Sequence, residues 1–380
     1  MPFIGNTSMQ KPKLIWLSVG VFSLTTTFAV IGVPIYAIYY GFDMWQIMAM
    51  LVGVVFCEIS ITAGYHRLWS HRAYEAHWLV RLIFAIGGTY ATQNSILHWA
   101  SDHRRHHLYV DDNLRDPYSA KRGFWYSHIG WMLRDYDTHK DKEYKNCSDL
   151  KKDPIVLWQH RHYVLLALGI NFGIPLLLGL WHGDVIGMLL LAGVARLVIA
   201  HHFTFLINSL AHIWGSQPYS DHNTSKDNGF LALLTMGEGY HNYHHCFQRD
   251  YRNGIRWWHF DPTKWLIGIL SWFKLAKNLY RSPVELVESA HAKMLLNSTA
   301  KKIAQLPHGD ILILRLEDEY KILMKKITEF SQAKKQWMKA SKTSMKENCD
   351  LERLKSKVEL LKQSFIQQKK SWLILNSKLA

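Results

Sequence analysis

Four long runs of apolar residues stand out from the alternation of hydrophobic and polar positions along the chain. A helix needs roughly 20 mostly apolar residues to cross the hydrocarbon core of a bilayer. The runs that meet this requirement are residues 14–37, 44–65, 163–181 and 185–207. The pattern predicts an all-α integral membrane protein with four transmembrane helices. Because very short links join the first run to the second and the third to the fourth, we expect two helical hairpins.

Two weaker apolar segments are predicted to lie at the membrane surface. Residues 79–97 include Arg81, Gln93 and Asn94, which favours an interfacial or half-buried helix over a full crossing. The segment 265–275 is too short to cross. A signal peptide is not favoured at the N-terminus, because the first run is too long and no small-residue cleavage site follows it.

The distribution of basic residues predicts the orientation of the spans. The links 39–43 and 182–184 contain no Lys or Arg, whereas the segment 66–162 and the region after the fourth run are rich in them. By the positive-inside rule the basic segments face the cytoplasm. We therefore expect both termini on the cytoplasmic side of a bacterial inner membrane or of the endoplasmic reticulum.

The C-terminal segment 286–380 is highly charged and repeats apolar residues at alternating spacings of four and three, which is typical of amphipathic helices. The two stripes are Leu316, Tyr320, Leu323, Ile327, Phe330 and Trp337, then Leu351, Leu354, Val358, Leu361, Phe365 and Trp372. A break at 341–350 predicts a helical hairpin. This tail either packs on itself or on the rest of the protein, or it docks a redox partner or a second subunit.

Charge and cysteine content narrow the class of protein. The net charge of +15 is compatible with nucleic acid or anionic lipid. The apolar spans favour the membrane surface, and no nucleic acid partner is expected. The four cysteines form no CxxC pair, so neither a zinc ribbon nor a disulfide framework is indicated.

Histidine is the residue type that carries the candidate chemistry, with 22 copies in clusters. Residues three and four apart share one face of a helix, so each HxxHH cluster makes a tripod. Asn208 and His212 also share a face, where the fourth run ends. We expect all of these side chains to converge at the cytoplasmic ends of the spans. The imidazoles are His66, His71, His103, His106, His107, His212, His241, His244 and His245.

So many imidazoles suit two metal ions better than one, with positions left open for O2 or water. If the task is to break an unactivated C–H bond, a redox metal is needed, which favours iron over zinc. The zinc hydrolase motif HExxH is not present. Asp102, Asp116 and Glu238 are candidate acceptors for the outer ring N–H of the histidines.

Other polar residues within the spans receive simpler interpretations. His201 and His202 lie inside the fourth run and are interpreted as structural. Glu58 in the second run is either a functional carboxylate or a hydrogen-bonded structural group, and Arg196 is its candidate partner.

At this point the chain resembles a known family. The motifs 66–71, 103–107 and 241–245 look like the three histidine boxes of membrane acyl-CoA desaturases of the stearoyl-CoA desaturase type. The flanking stretches at 61–64, 122–131, 208–215 and 260–265 match as well. The resemblance covers about residues 15–285, so we predict a desaturase domain at 1–285 and a helical tail at 286–380.

The resemblance implies four transmembrane helices under a helical cytosolic cap. It implies a di-iron site of nine histidines, with Asn208 acting through water. It also implies a tunnel that kinks at the metals, with its closed end between spans one, two and four. Gln93, Trp99 and Thr204 match the kink-forming group, and Asn94, Asp102 and Arg134 match the contacts to the acyl-CoA headgroup. The implied reaction is O2-dependent insertion of a cis double bond, delta-9 by resemblance, into a C16–C18 fatty acyl-CoA.

Three questions stay open on the sequence. Ser101 and Asp135 stand where the family carries basic residues for the CoA group, so acyl-ACP or a phospholipid acyl chain are alternative carriers, and Arg104, Arg105, Lys121 or Arg122 are candidate replacements. No fused cytochrome b5 motif or ferredoxin-type cysteine set is present, which predicts an external donor such as cytochrome b5 or a ferredoxin with its reductase. A related di-iron hydroxylase and a non-catalytic metal-binding membrane protein are the competing functions.

Overall fold

The computed structural model describes residues 12–136, 143–343 and 348–379. It is almost entirely helical and divides into two compact units. One unit contains the chain through Ser216 together with Asn223–Arg281, and the other contains Gln217–His222 and the chain from Ser282 onward. The division at residue 285 made from the sequence stays a prediction.

Among the described residues, four helices are long and apolar enough to cross a membrane, which confirms the four predicted spans. They run Trp16–Tyr39 (span 1), Met44–Ser70 (span 2), Tyr163–His182 (span 3) and Val185–Ile213 (span 4). Span 1 buries none of its residues in the protein, and Leu17 and Ile38 are each 79% exposed. An apolar surface of this kind is stable against lipid and not against water.

Spans 2 and 4 continue beyond the apolar runs that predicted them. Span 2 ends in a π-helical segment, Ser60–Ser70, which is buried throughout. Span 4 is interrupted at Ser209 and resumes as the short helix Leu210–Ile213. Because both extensions are polar, hydropathy alone ends these helices too early.

Shorter helices join the spans on the side of the histidines. They are Trp78–Tyr90, Ile96–Tyr109, Pro154–Arg161, Gly229–Leu234, His241–Cys246 and Pro262–Trp272. Two-residue strands, Glu75–Ala76 and Ala276–Lys277, pair antiparallel. The predicted interfacial helix over 79–97 is shorter than expected, because it ends at Tyr90 and a turn precedes Ile96.

The helix Pro262–Trp272 confirms the short apolar segment predicted at 265–275. Asp261 caps it by accepting a hydrogen bond from the Lys264 N–H, and proline occupies the first turn. One face is buried at Ile267, while Trp272 is 83% exposed.

The described part of the second unit holds three helices, Val284–Ile303, Gly309–Thr343 and Asn348–Leu379. The last two are antiparallel, because Phe330 stacks on Phe365 and Tyr320 contacts Trp372. They form the predicted hairpin, and part of the predicted break at 341–350 lies outside the described residues. The first of the three helices, Val284–Ile303, was not predicted. It packs in the same core as the hairpin through residues such as Ala292 and Ile303.

Candidate functional site

All nine histidines predicted from the boxes and from span 4 come together in two groups. One group contains His66, His71, His103, His107 and His244, and the other contains His106, His212, His241 and His245. Within each group the candidate ligand nitrogens lie within 4.8 Å of one another. This geometry could hold a metal ion in each group.

The π-helical end of span 2 explains how two histidines five residues apart share one site. In this geometry backbone hydrogen bonds run between residues five apart, and the His71 N–H donates to the His66 carbonyl at 3.1 Å. The two imidazole centroids lie 4.8 Å apart. A regular α-helix would point the side chains in different directions.

Each HxxHH tripod contributes to both groups and so couples them. On the helix Ile96–Tyr109, His103 and His107 belong to the larger group and His106 to the smaller. On the helix His241–Cys246, His244 belongs to the larger group, and the other two histidines of the box belong to the smaller. The two groups are therefore held at a fixed separation by two rigid helices.

The spacing of the ring nitrogens fits metal coordination. In the larger group the Nε2–Nε2 distance is 2.9 Å for His66–His244, and it is 2.8 Å for His71–His103. In the smaller group the Nε2 atom of His241 lies 3.1 Å from that of His212. With metal–nitrogen bonds of about 2.1 Å, two ligands at right angles are separated by about 3.0 Å. The donor set present fits a metal in each group.

The outward ring nitrogens of four of these histidines contact oxygen atoms. The pairs are His66 Nδ1 with Glu238 (2.9 Å), His106 Nδ1 with Asp116 (2.8 Å), His103 Nδ1 with the Tyr118 hydroxyl (3.2 Å) and His212 Nδ1 with Thr224 (2.9 Å). Such contacts orient the ring and make its inner nitrogen a better ligand. Tyr118 and Thr224 were not predicted, since nothing in their local sequence distinguishes them.

Asp102 was a candidate for the same role, and the structure places it elsewhere. Its carboxylate contacts His98 and Arg105. Helical spacing explains the difference, because these two residues lie four positions before and three positions after Asp102.

Burial favours the neutral form, which can bind a metal, in six of the clustered imidazoles. It lowers the pKa of six of them well below the ordinary value, with further lowering by neighbouring imidazoles. These are His71, His103, His107, His241, His244 and His245.

A buried ion-pair network includes Glu238, the carboxylate that contacts His66. Arg67 donates to Glu238 at 2.9 Å and to Asp261 at 3.1 Å, and its side chain is 1% exposed. Burial raises the pKa of Glu238, but His66 and Arg67 outweigh that effect and lower it to about 2. The carboxylate is therefore ionised at neutral pH.

A cavity of about 440 Å³ opens beside the two groups, and His66, His103 and His241 line it. Asn208 also lines this cavity, and within the described residues its amide has no hydrogen-bond partner. All six residues predicted to bind substrate lie on its wall: Gln93, Asn94, Trp99, Asp102, Thr204 and Arg134. A cavity of this size is within the ordinary range for ligand sites.

Spans 1, 2 and 4 contribute apolar side chains to the cavity wall, among them Phe22, Ile61, Phe205 and Ile207. Charged side chains line the cavity as well, among them Asp102, Arg105 and Arg134. The lining therefore suits a molecule with an apolar chain and a polar end.

A chain of hydrogen bonds crosses the cavity wall next to the histidines. The Gln93 amide donates to Thr204 at 2.8 Å and accepts from the Trp99 ring N–H at 3.3 Å. The Trp99 ring stacks on His103, with centroids 4.8 Å apart. Thr204 in turn donates to Glu58 at 3.2 Å.

The predicted pairing of Glu58 with Arg196 does not form. Arg196 instead donates to the Tyr90 carbonyl at 2.6 Å and to the Asn171 side chain at 2.6 Å. Both residues are fully buried, and different neighbours contact them, although the second carboxylate oxygen of Glu58 has no hydrogen-bond partner among the described residues. The positions of Glu58 and Arg196 along two separate helices do not determine whether the helix faces that carry them meet.

The two residues that depart from the family pattern, Ser101 and Asp135, both make hydrogen bonds within the protein. Ser101 donates to Asn146 at 2.8 Å, and Asp135 joins the segment before span 1 through its backbone N–H and the Lys13 carbonyl. Among the candidate replacements, Arg105 lines the cavity, whereas Arg104 forms a two-pronged pair with Asp149.

Comparison with known proteins gives the family. Residues 16–268 match the model of the family described as fatty acid desaturase. The chain is 43% identical over 298 residues to a probable acyl-CoA desaturase of Schizosaccharomyces pombe, covering 76% of this chain and 62% of that protein. It is 46% identical over 255 residues to acyl-CoA desaturase 1 of Saccharomyces cerevisiae, covering 67% and 50%.

A human relative, stearoyl-CoA desaturase 5, is 33% identical over 291 residues, which cover 75% of this chain and 86% of that protein. The matched segment spans only half to three fifths of the two yeast proteins. Since the family match extends over two thirds of the sequence and includes the boxes and all four spans, this chain belongs to the fatty acid desaturase family.

Proposed function

We propose that this protein is an O2-dependent desaturase that inserts a cis double bond, at the delta-9 position, into a saturated C16–C18 fatty acyl-CoA. The observation that carries the proposal is a double histidine group beside a cavity lined by both apolar and charged side chains. The relatives named as acyl-CoA desaturases support the same reaction and the same carrier.

Two iron ions are the proposed cofactors, one in each histidine group. When bound, iron would supply the O2-dependent oxidation that removes two hydrogens from neighbouring methylenes. Neutral imidazoles suit iron, and their outward N–H groups are already oriented by Glu238 and Asp116. Asn208 lies on the cavity wall, and its amide would hold a water there.

The cavity residues would bind and bend the substrate. Gln93, Trp99 and Thr204 form the wall beside His103, so an acyl chain passing that wall has to bend there. Arg134 and Arg105 lie where a negatively charged headgroup would be bound, with Asn94 and Asp102 close by on the wall. Each methylene buried in the cavity contributes only about 0.8 kcal/mol to the binding free energy, so affinity distinguishes acyl chains of different length weakly. A closed end of the cavity would select chain length more strongly, because longer chains would clash with it.

The protein is proposed to place its active site and both termini on the cytoplasmic side. The basic segments next to the histidine groups support this orientation.

The fatty-acid profile of cells that express this chain tests the proposed function. We expect new delta-9 monoenes of 16 and 18 carbons, compared with cells that carry an empty vector. Their chain lengths would report the depth of the cavity. A hydroxy acid in place of the alkene would move the assignment to a hydroxylase. No new product, with iron bound and a reductase supplied, would contradict the desaturase proposal.

The reaction needs two electrons, and a second cavity is the proposed docking place for an external donor. This cavity, of about 430 Å³, is lined by His71 and His107 of the larger group. Arg72 and Arg249 are exposed at its wall, together with Leu108, which is 70% exposed. A donor with an acidic face, such as cytochrome b5 or a ferredoxin with its reductase, fits this charge.

Reversing the charge at this cavity is expected to slow donor-dependent turnover. We expect the Arg72→Glu and Arg249→Glu variants each to lower the rate about tenfold at low salt, because steering by opposite charge is lost. The matched control is Lys277→Glu, which reverses an exposed lysine paired with Glu75. The same loss of rate with a small uncharged chemical reductant would contradict this docking site.

A further inference from the structure

The turn between the helices Trp78–Tyr90 and Ile96–Tyr109 contains two non-glycine residues with positive φ, a backbone conformation that residues with side chains rarely adopt. Thr92 has φ 52° and Asn94 has φ 75°. A β-branched residue at positive φ is an outlier that persists only where its surroundings hold it. This turn carries Gln93 on the cavity wall, so contacts from outside the turn must hold that residue in place.

Two side chains of span 4 bind the backbone at the start of the turn. Arg196 donates to the Tyr90 carbonyl at 2.6 Å. The Nε2 atom of His201 lies 2.9 Å from the Ala91 carbonyl and donates its hydrogen to it. Carbonyls at the end of a helix lack partners within the helix, and here span 4 supplies them.

Span 3 binds the turn from another side. Asn171 donates to the Thr92 hydroxyl at 3.0 Å, and its own carbonyl oxygen accepts a hydrogen bond from Arg196 at 2.6 Å. The backbone N–H of Asn94 donates to the Tyr163 hydroxyl at 2.8 Å. The turn is therefore held at both ends and in its middle by the two helices of one hairpin.

The turn sets the place of Gln93 relative to the histidine groups. The Gln93 amide bonds to Thr204 on one side and to Trp99 on the other, and Trp99 stacks on His103. If the turn shifted along the cavity, the Gln93 amide would move relative to the stacked rings of Trp99 and His103.

We propose that Arg196, Asn171 and His201 are positioning residues that determine which carbon of the acyl chain is oxidised. The inference rests on the proposed desaturase function. The place where the chain bends sets the carbon nearest the histidine groups, and the bend is at Gln93. A turn released from the contacts of these three residues relaxes its positive φ values, and the bend becomes less sharply defined.

The position of the double bond tests this inference. In cells or purified holoenzyme, Asn171→Leu and His201→Leu are expected to raise the ratio of minor to major positional isomers about tenfold, since small displacements near reacting atoms have large effects. Iron per chain is expected to stay close to that of the parent, whereas the thermal unfolding midpoint is expected to fall, because each change leaves a buried polar group without its partner. His201→Gln keeps an N–H donor and is expected to restore the parental ratio.

The matched control is Phe172→Leu, which changes the residue next to Asn171 at a position 64% exposed. A fall in yield with an unchanged isomer ratio would show a merely structural role and overturn the inference. If Asn171→Leu does not fold, the two His201 variants decide the question alone. A parent chain that makes no alkene with iron bound contradicts the proposed function itself, and that outcome is distinct from an unchanged ratio.

Discussion

Cells expressing the His106→Ala variant are expected to lack the new monoenes that the parent chain produces. The Nε2 atom of His106 lies 3.4 Å from that of His245, and its Nδ1 atom bonds to Asp116 at 2.8 Å. Removing this side chain leaves three imidazoles in the smaller group. We expect activity to fall more than about 100-fold, since even the loss of an outer partner of a ligand costs 10–100-fold.

Metal content separates this prediction from simple misfolding. Iron per purified chain is expected to fall from two toward one, because the larger group keeps all five of its histidines. The control is His162→Ala, which removes an exposed histidine at the start of span 3. A variant that retains both iron ions and full activity would refute the assignment of the smaller group as a metal site.

The second large effect is expected on stability, from Arg67→Met. This change leaves the carboxylates of Glu238 and Asp261 buried without their shared cation, and it also removes the hydrogen bond to the Tyr251 carbonyl. Breaking one side of a buried ion pair costs about 3–5 kcal/mol. We expect a clear fall in the thermal unfolding midpoint in detergent micelles.

A surface pair provides the comparison for Arg67→Met. Lys277 and Glu75 lie 3.5 Å apart, with side chains 74% and 57% exposed, so Lys277→Met is expected to cost about 1 kcal/mol or less. Equal losses of stability in the two variants would show that the buried network stabilises the protein no more than the surface pair does.

The pH dependence of stability follows from Glu238. Its folded-state pKa of about 2 is lower than its ordinary value of 4.5, so its contribution is complete above pH 4.5. That contribution is lost as the pH falls from 4.5 toward 2. In Glu238→Gln the unfolding midpoint is expected to depend less on pH over this interval.

Local periodicity explains what could be predicted about the fold. Long apolar runs determine the four spans, because no other arrangement satisfies the backbone inside lipid. The stripe from Leu316 to Phe330 and that from Val358 to Trp372 determine two of the tail helices. The helix Val284–Ile303 was missed, since its apolar positions form no comparable stripe.

The candidate site was predicted residue by residue but not in its arrangement. Spacings of three and four identify both tripods, because they follow from helix geometry alone. The assignment of His103 to one group and His106 to the other depends on which helices face them. The meeting of His66 with His71 depends on a π-helical turn that hydropathy does not reveal.

By itself, then, the sequence determined the membrane class, the four spans, the nine histidines and the family to which they point. Only the tertiary structure decided that Glu58 bonds to Thr204 and not to Arg196, and that Arg196 donates to the Tyr90 carbonyl instead. The reason is physical. A helix face is encoded locally, whereas the partner of a buried polar group is the group that packing brings within hydrogen-bond distance.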